Sequence, residues 1–425
     1  MRRGIAATAV VAALTMTAAA CGGDDGDSGK KSGGKLSGTV TFWDTSNDAE
    51  KATYEKLAKG FEDLHPGVEV KYVNVPFGEA NAKFKNAAGG NSGAPDVMRT
   101  EVAWVADFAN LGYLAPLEGT AALDKPEDFL PQAAASTKFK GKTYAAPQTI
   151  DTLALFYNKK MLKAAGVEVP KTFDDVKSVA KKIKSKSGKT GLYLRGDDPY
   201  FYLPYLYGAG GDLLDTKKKE VTVDDAEGAE AFEVMKDLVD SKAAVTDASD
   251  GYNNQLNAFK DGDVAMALDG PWSIEGALQG KQFKGSAGAA NLGVAPVPGG
   301  SARQASPQGG WNLAAYAGSK NLDASYEFIK YMSSAKVQQQ TTEKLSLLPT
   351  RTSVYDVKSV KGNQMVQFFK PAVDKSVQRP WIPEANSLFE PIRLQMQKVL
   401  SGKTSPEDGA KGIGDAYRKL LKDYK

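Results

Sequence analysis

Two periodicities alternate along this chain. Residues 36–43 alternate apolar and polar, with Val40 and Phe42 on one face, the period-two pattern of a half-buried strand. Directly afterwards Tyr54, Leu57, Ala58, Phe61 and Leu64 recur at three- and four-residue spacing, which predicts a helix with one buried stripe. The polar residues 45–48 are expected to cap that helix, and His65-Pro66-Gly67 to stop it in an exposed turn. Val68, Val70 and Tyr72 alternate again, and a helix over 79–88 and a strand over 96–100 follow. Strand-helix-strand repetition with short turns predicts a mainly parallel sheet covered by helices. The alternation restarts at 153–157, a continuous apolar run of buried-strand length. Thr172 and Asp175 then form a capping-box pattern, with Asp in place of the more usual Glu, opening a helix to about residue 184. Further strands are expected over 264–268 and 292–296, and helices over 363–374, 387–400 and 406–421. No internal repeat is evident. The pattern reads as two α/β lobes followed by a helical tail.

The first 35 residues are of another kind. Arg2 and Arg3 precede an uncharged run over 5–20 that is too short to span a bilayer and has the form of an export signal. It ends in Ala18-Ala19-Ala20-Cys21, which resembles the lipobox of bacterial lipoproteins, with Ala18 where leucine is usual. The expectation is removal of 1–20 and lipidation of Cys21. Residues 22–35 hold no apolar side chain and should form a flexible tether. An exported, lipid-anchored chain at the outer face of the cytoplasmic membrane is the result.

Composition narrows the chemistry. The 54 Lys and Arg against 51 Asp and Glu are scattered rather than interleaved with aromatics, so no nucleic-acid partner is expected. The roughly 390 residues after the tether exceed what one core usually serves, so two domains are expected. One cysteine leaves no internal disulfide, and one histidine, His65, leaves no His-plus-Cys metal site and no Ser-His-Asp arrangement. No GxxxxGK[ST] occurs, and Gly208-Ala209-Gly210-Gly211 lacks dinucleotide-binding spacing and reads as a turn. No cofactor is expected. Paired carboxylates for glycoside hydrolysis stay open, since Asp and Glu are plentiful and their separation in space is not visible in sequence.

The aromatics are more informative. Of the tryptophans at 43, 104, 272, 311 and 381, Trp272 and Trp311 lie in Gly-Pro and Gly-Gly turn contexts where a core tryptophan is not the default. Asp197-Asp198-Pro199-Tyr200 puts a ring beside carboxylates. Flat rings beside Asp, Glu and Arg suit a sugar, whose C–H face stacks and whose hydroxyls take charge-assisted hydrogen bonds.

With these residues in place, the chain resembles the extracellular solute-binding proteins of bacterial ABC importers, in the group that binds maltose, maltodextrin and trehalose. The matching segments run in order from VTFW at 40–43 through FEDLHPGVEV at 61–70, Pro95-Asp96-Val97, 144–162, 198–211, Asp269 to Trp272, and Gly309 to Leu313, to RPWIP at 379–383. The resemblance implies a two-lobe periplasmic-binding-protein-like α/β fold with a ligand cleft, hinge crossovers near Ile150, Val297 and Thr350, and a C-terminal helical segment. It places the first lobe at 36–149 plus 298–349 and the second at 151–296 plus 351–425. Carried over position by position, it implies ligand contacts from Asp48 and Glu50 after the first strand, from Glu101, and from Asp151 at the first crossover. From the rest of the chain it implies Asp198, Tyr200, Trp272 as a stacking platform, Gly310 and Trp311, Arg379 forking onto vicinal hydroxyls, and Trp381. The implied protein is a monomer without catalysis that passes a sugar, maltose or maltodextrin, to the transmembrane subunits of a permease. The alternative is a surface-anchored glycoside hydrolase.

Overall fold

The structure is a computed structural model that describes residues 35–425. The export signal and Cys21 lie outside the described residues. Leu36–Lys425 forms one compact unit. Its two larger sheets use strands β1 (Gly38–Asp44), β2 (Val68–Asn74), β3 (Val97–Glu101), β4 (Ala146–Asp151), β5 (Ala154–Asn158), β6 (Thr190–Arg195), β7 (Ala244–Asp247), β8 (Val264–Asp269), β9 (Leu292–Ala295), β10 (Gly309–Ala315) and β11 (Leu348–Pro349).

The first sheet has the order β11-β4-β10-β3-β1-β2 and the second the order β7-β6-β8-β5-β9. Only part of each is parallel, against the expectation of mainly parallel sheets. β2, β1 and β3 run parallel, but β10 is antiparallel to both β3 and β4, and β11 is antiparallel to β4. In the second sheet β6, β7 and β8 are parallel, and β5 runs antiparallel to both of its neighbours, β8 and β9. The early strand-helix-strand units set the parallel part. The later strands pair with partners distant in the chain, so local periodicity does not orient them.

Period-two alternation divides the first sheet between two helical layers. Phe42, Val97 and Leu313 face a core shared with Tyr54, Ala58 and Phe61 of α1 (Lys51–Leu64). The neighbouring Trp43, Met98 and Ala314 face Ala80, Phe84 and Ala88 of α2 (Phe77–Gly89) and Phe108 of α3 (Trp104–Asn110). The stripe of α1 is shorter than its spacing suggests, because Leu64 is 63% exposed. The expected side-chain cap from 45–48 is also displaced. Glu50 is the N-cap and gives no side-chain bond, while Asn47 Oδ1 accepts from the amides of Ala49 and Glu50 and tightens the entering turn. His65 is half-buried rather than exposed, its ring 4.3 Å from that of Phe61.

The second sheet packs against α4 (Phe173–Ser187) and the helical tail. At the start of α4 the capping box closes with aspartate: Asp175 N donates to Thr172 Oγ1 at 3.1 Å and Thr172 N to Asp175 Oδ2 at 3.0 Å. Two tail helices, α6 (Phe389–Leu400) and α7 (Pro406–Leu420), contribute Ile392, Met396, Ile413 and Tyr417 to the core under Leu155, Met266 and Leu268. The helix α5 (Gln364–Asp374) instead joins a core that takes Ile150 and Leu348 from the first sheet and Phe156 and Leu292 from the second. The two halves are thus tied behind the site by shared apolar packing.

Candidate ligand-binding site

Several of the strands end on a charged residue. β1 ends at Asp44, β3 at Glu101, β4 at Asp151, β6 at Arg195 and β8 at Asp269. In sheets of this type ligands sit outside the carboxyl ends of the parallel strands. Antiparallel pairing brings the start of β10 to the same edge, with Gly309 opposite Asp151 and Trp311 opposite Glu101. Asp151 is also where the chain leaves the first sheet for β5 of the second. There Thr152 Oγ1 donates to Pro307 O at 2.8 Å and Leu153 N to Ser306 Oγ at 3.1 Å.

Arg99 of β3 organises one side. Its side chain is fully buried, with Cζ 4.5 Å from the Tyr54 ring centroid and 4.3 Å from that of Trp311. Its Nε donates to Gln148 Oε1 at 2.8 Å, and Asp44 and Glu50 lie 3.9 and 3.8 Å away. Nη1 is buried without a hydrogen-bond partner. Burial, with Asp44 acting in the same direction, pushes the Glu50 carboxyl up to about 7 in spite of Arg99.

Arg379 organises the other side. It is 5% exposed, donates from Nε to Gln308 O at 3.0 Å, and pairs through Nη2 with Glu101 Oε1. The rings of Tyr200, Trp381 and Phe389 surround it at 5.4–5.6 Å. Trp381 Nε1 is buried and unpartnered. Beside the pair, burial and the negative Glu101 push Asp151 up to about 7, against the pull of Arg379 and Arg99. Tyr200 Oη donates to Pro307 O at 3.0 Å, and its ring lies 6.3 Å from that of the half-buried Trp272.

Most of the sequence-predicted residues therefore meet. Glu50, Glu101, Asp151, Tyr200, Trp272, Trp311, Arg379 and Trp381 form one chain of contacts. Asp198 joins through its 2.9 Å bond from Tyr200 N and a 3.6 Å approach to Arg195, so it also caps the short turn beneath Tyr200. Asp48 stands apart. Its side chain is 96% exposed and pairs with Lys51 at 2.7 Å, a contact of small worth in water. At Gly310 the missing Cβ is used by the neighbouring strand rather than by open space, since a Cβ there would lie 2.4 Å from Thr149 O. Sequence reasoning missed Arg99, Gln148 and Asp44. The available signal was an arginine following Val97 and Met98 in a short strand, where an unpaired charge is not tolerated if the strand is buried.

The two halves also touch directly across the site. Asn47 Nδ2 donates to Trp272 O at 3.2 Å, and Trp104 Nε1 donates to Asn386 Oδ1 at 2.9 Å. Among the described residues no group of His, Cys, Asp and Glu is placed to hold a metal ion, and no helix is long and apolar enough to cross a membrane.

A pH dependence follows from the two raised carboxyls. Unfolded, Glu50 and Asp151 ionise near 4.5 and 3.8, and folded near 7. Between those values the folded protein holds protons that the unfolded chain has lost, so stability falls as pH rises from about 5 to 7 and stays lowered above. Thermal unfolding of the unliganded protein should show a midpoint that declines from pH 5 to pH 8. Glu50→Gln with Asp151→Asn should flatten the decline. A midpoint that rises across this window would contradict the assignment.

The bacterial extracellular solute-binding protein family matches residues 45–339. The crystallised GacH receptor of Streptomyces glaucescens, solved unliganded and in complex with acarbose and an acarbose homolog, is 74% identical, with TM-score 0.90 over 92% of this chain and 100% of that one. The diacetylchitobiose-binding protein DasA of Streptomyces coelicolor is 29% identical over 99% of both chains. A maltooligosaccharide ABC transporter solute-binding lipoprotein of Streptococcus pneumoniae is 23% identical over 98% of this chain and 97% of its own. With the mixed two-sheet fold and the charged strand ends already described, these matches identify the chain as a member of the bacterial extracellular solute-binding proteins.

Proposed function

We propose that this protein captures an oligosaccharide of the maltodextrin and acarbose class between its two halves and delivers it to the transmembrane subunits of an ABC importer. The observation that carries the reading is the composition of the site. Partly buried rings of Trp272, Trp311 and Tyr200 stand around Asp151, whose carboxylate accepts no hydrogen bond among the described residues. Rings take the C–H faces of a pyranose, and an unsatisfied carboxylate takes its hydroxyls. The acarbose complex of the 74% identical receptor supports the same class. Binding is a population shift toward the closed form, because only there do both halves reach the ligand.

The role is capture without turnover, by a monomer, and the lipid on Cys21 holds it at the outer face of the membrane. The likeness to a solute-binding lipoprotein supports that anchor. Residues 299–305 favour a later second crossover than 297. Gly299 N donates to Lys171 O, and Ala305 packs in the core of the second half, so we place this crossing at 306–309. The other crossings stay near Ile150 and Thr350.

Calorimetric titration with acarbose, maltotriose and diacetylchitobiose tests the reading. The first two should bind, and ligand at a hundredfold excess over Kd should stabilise by about 2.7 kcal/mol. Trp272→Ala should weaken binding by about 2 kcal/mol or more, as loss of a hot-spot ring does, and remain folded. Normal binding by Trp272→Ala would remove it from the site. Maltotriose should be recovered unchanged after overnight incubation, whereas released glucose would mean a hydrolase.

A further inference from the structure

We propose that Phe77 is an outer stacking platform that extends the cleft beyond Trp311 and takes one more pyranose ring of a longer oligosaccharide. The inference rests on the sugar-binding reading above.

Phe77 is the first residue of α2, on the same stripe as the buried Ala80, Phe84 and Ala88. Its ring nevertheless stays out of the core and is 52% exposed. It lies parallel to the indole of Trp104, with centroids 5.5 Å apart and an interplanar angle of 10°. Its edge relation to Trp311 is 5.6 Å at 80°, and Trp104 meets Trp311 at 6.3 Å and 89°. Three rings thus form one rigid cluster that is continuous with the site through Trp311.

The cluster is locked from behind. Trp104 is 3% exposed and packs against the buried Phe108 of its own half. Trp311 is backed by the Arg99 guanidinium. A ring fixed in this way loses little freedom when a ligand arrives, so contact made on its open surface is retained as affinity. The occupant that fits is a pyranose, which offers an apolar C–H face to a ring and turns its hydroxyls to water at the rim. Continuity with Trp311 favours a sugar unit linked to the one bound there over an unrelated partner.

The test is calorimetric titration of the full mature chain with malto-oligosaccharides of two to seven glucose units, for wild type, Phe77→Ala, Phe77→Leu and Phe77→Trp. Affinity of the wild type should rise with length until the outer position is filled. Phe77→Ala and Phe77→Leu should then lose roughly three- to tenfold for the longer ligands, with the shortest bound ligand changed less than about twofold. Phe77→Trp should keep the length dependence. Leucine keeps apolar bulk and stability, so its loss isolates the ring. Equal loss at every length would overturn the proposal and leave Phe77 as a prop for Trp311. No loss at any length would overturn it too, as would self-association of wild type that Phe77→Ala abolishes. A wild type that binds no length would instead overturn the sugar reading, and this one with it.

Discussion

Arg379→Ala is expected to lower the unfolding free energy by about 3–5 kcal/mol and to abolish sugar binding. The arginine is buried, bonded to Gln308 O and paired with Glu101. Removing it leaves the largely buried Glu101 carboxylate without its cation, and breaking one partner of a buried pair costs in that range. The uncompensated charge of Glu101 would also push Asp151 higher still, since burial and Glu101 already raise it and Arg379 opposes them. Arg379→Lys separates the two roles. Lysine keeps the charge and can satisfy Glu101 or Gln308 O, but its single ammonium cannot reproduce the planar fork. Affinity should fall roughly ten- to hundredfold, with a smaller loss of stability than in the alanine variant. Urea denaturation and calorimetric titration read the two effects apart. An unchanged Kd in Arg379→Lys would assign the arginine to the Glu101 pair alone and remove it from ligand contact.

Gly310→Ala should be comparably damaging through the backbone. Gly310 has φ +138°, and an added Cβ would lie 2.4 Å from Thr149 O and 3.0 Å from the Ile150 Cα. Both are backbone atoms of β4, so no side-chain rotation relieves the contact. Overpacking costs about 1–3 kcal/mol, and a strained backbone region for a residue with a Cβ costs about 1–3 kcal/mol more. Relief requires β4 and β10 to separate where Gly309 faces Asp151, so affinity should fall together with stability. Gly402→Ala is the control. Its φ is +71° but a Cβ there meets open space, so only the left-handed backbone cost of about 1–2 kcal/mol applies, without effect on binding. Denaturation midpoints of the two variants compare them, and equal losses would mean that strand contact at Gly310 is unimportant.

The sequence by itself determined the elements. Period-two and period-3.6 patterns are local, and a strand or helix stripe is written within a dozen residues. The capping box at Thr172 and Asp175 closes within four residues and appears as expected. Of the two tryptophans expected in turns, Trp272 does stand in one, in the short turn after β8, whereas Trp311 lies within β10, paired with Glu101 and Thr149. Asp48 and Glu50 show the limit of such reading. Two acids two residues apart looked equivalent, yet one faces water against Lys51 while the other is buried beside Arg99, because the turn that leads into α1 presents them on opposite sides.

Only the tertiary structure decided partners distant in sequence. Asn47 meets Trp272 across 225 residues and Trp104 meets Asn386 across 282. Sheet direction belongs to the same class, since β10 runs against β3 and β4, strands more than 150 residues before it in the chain. Arg99 lies in a short buried strand, and nothing near it in sequence discloses that Tyr54, Trp311, Gln148 and Glu50 surround it. Phe77 sits on a buried stripe by spacing and is held at the rim by Trp104 and Trp311 instead. A local pattern states how much of a residue is apolar and which face it occupies. Which charge or ring lies opposite that face is set by the packing of segments far apart along the chain.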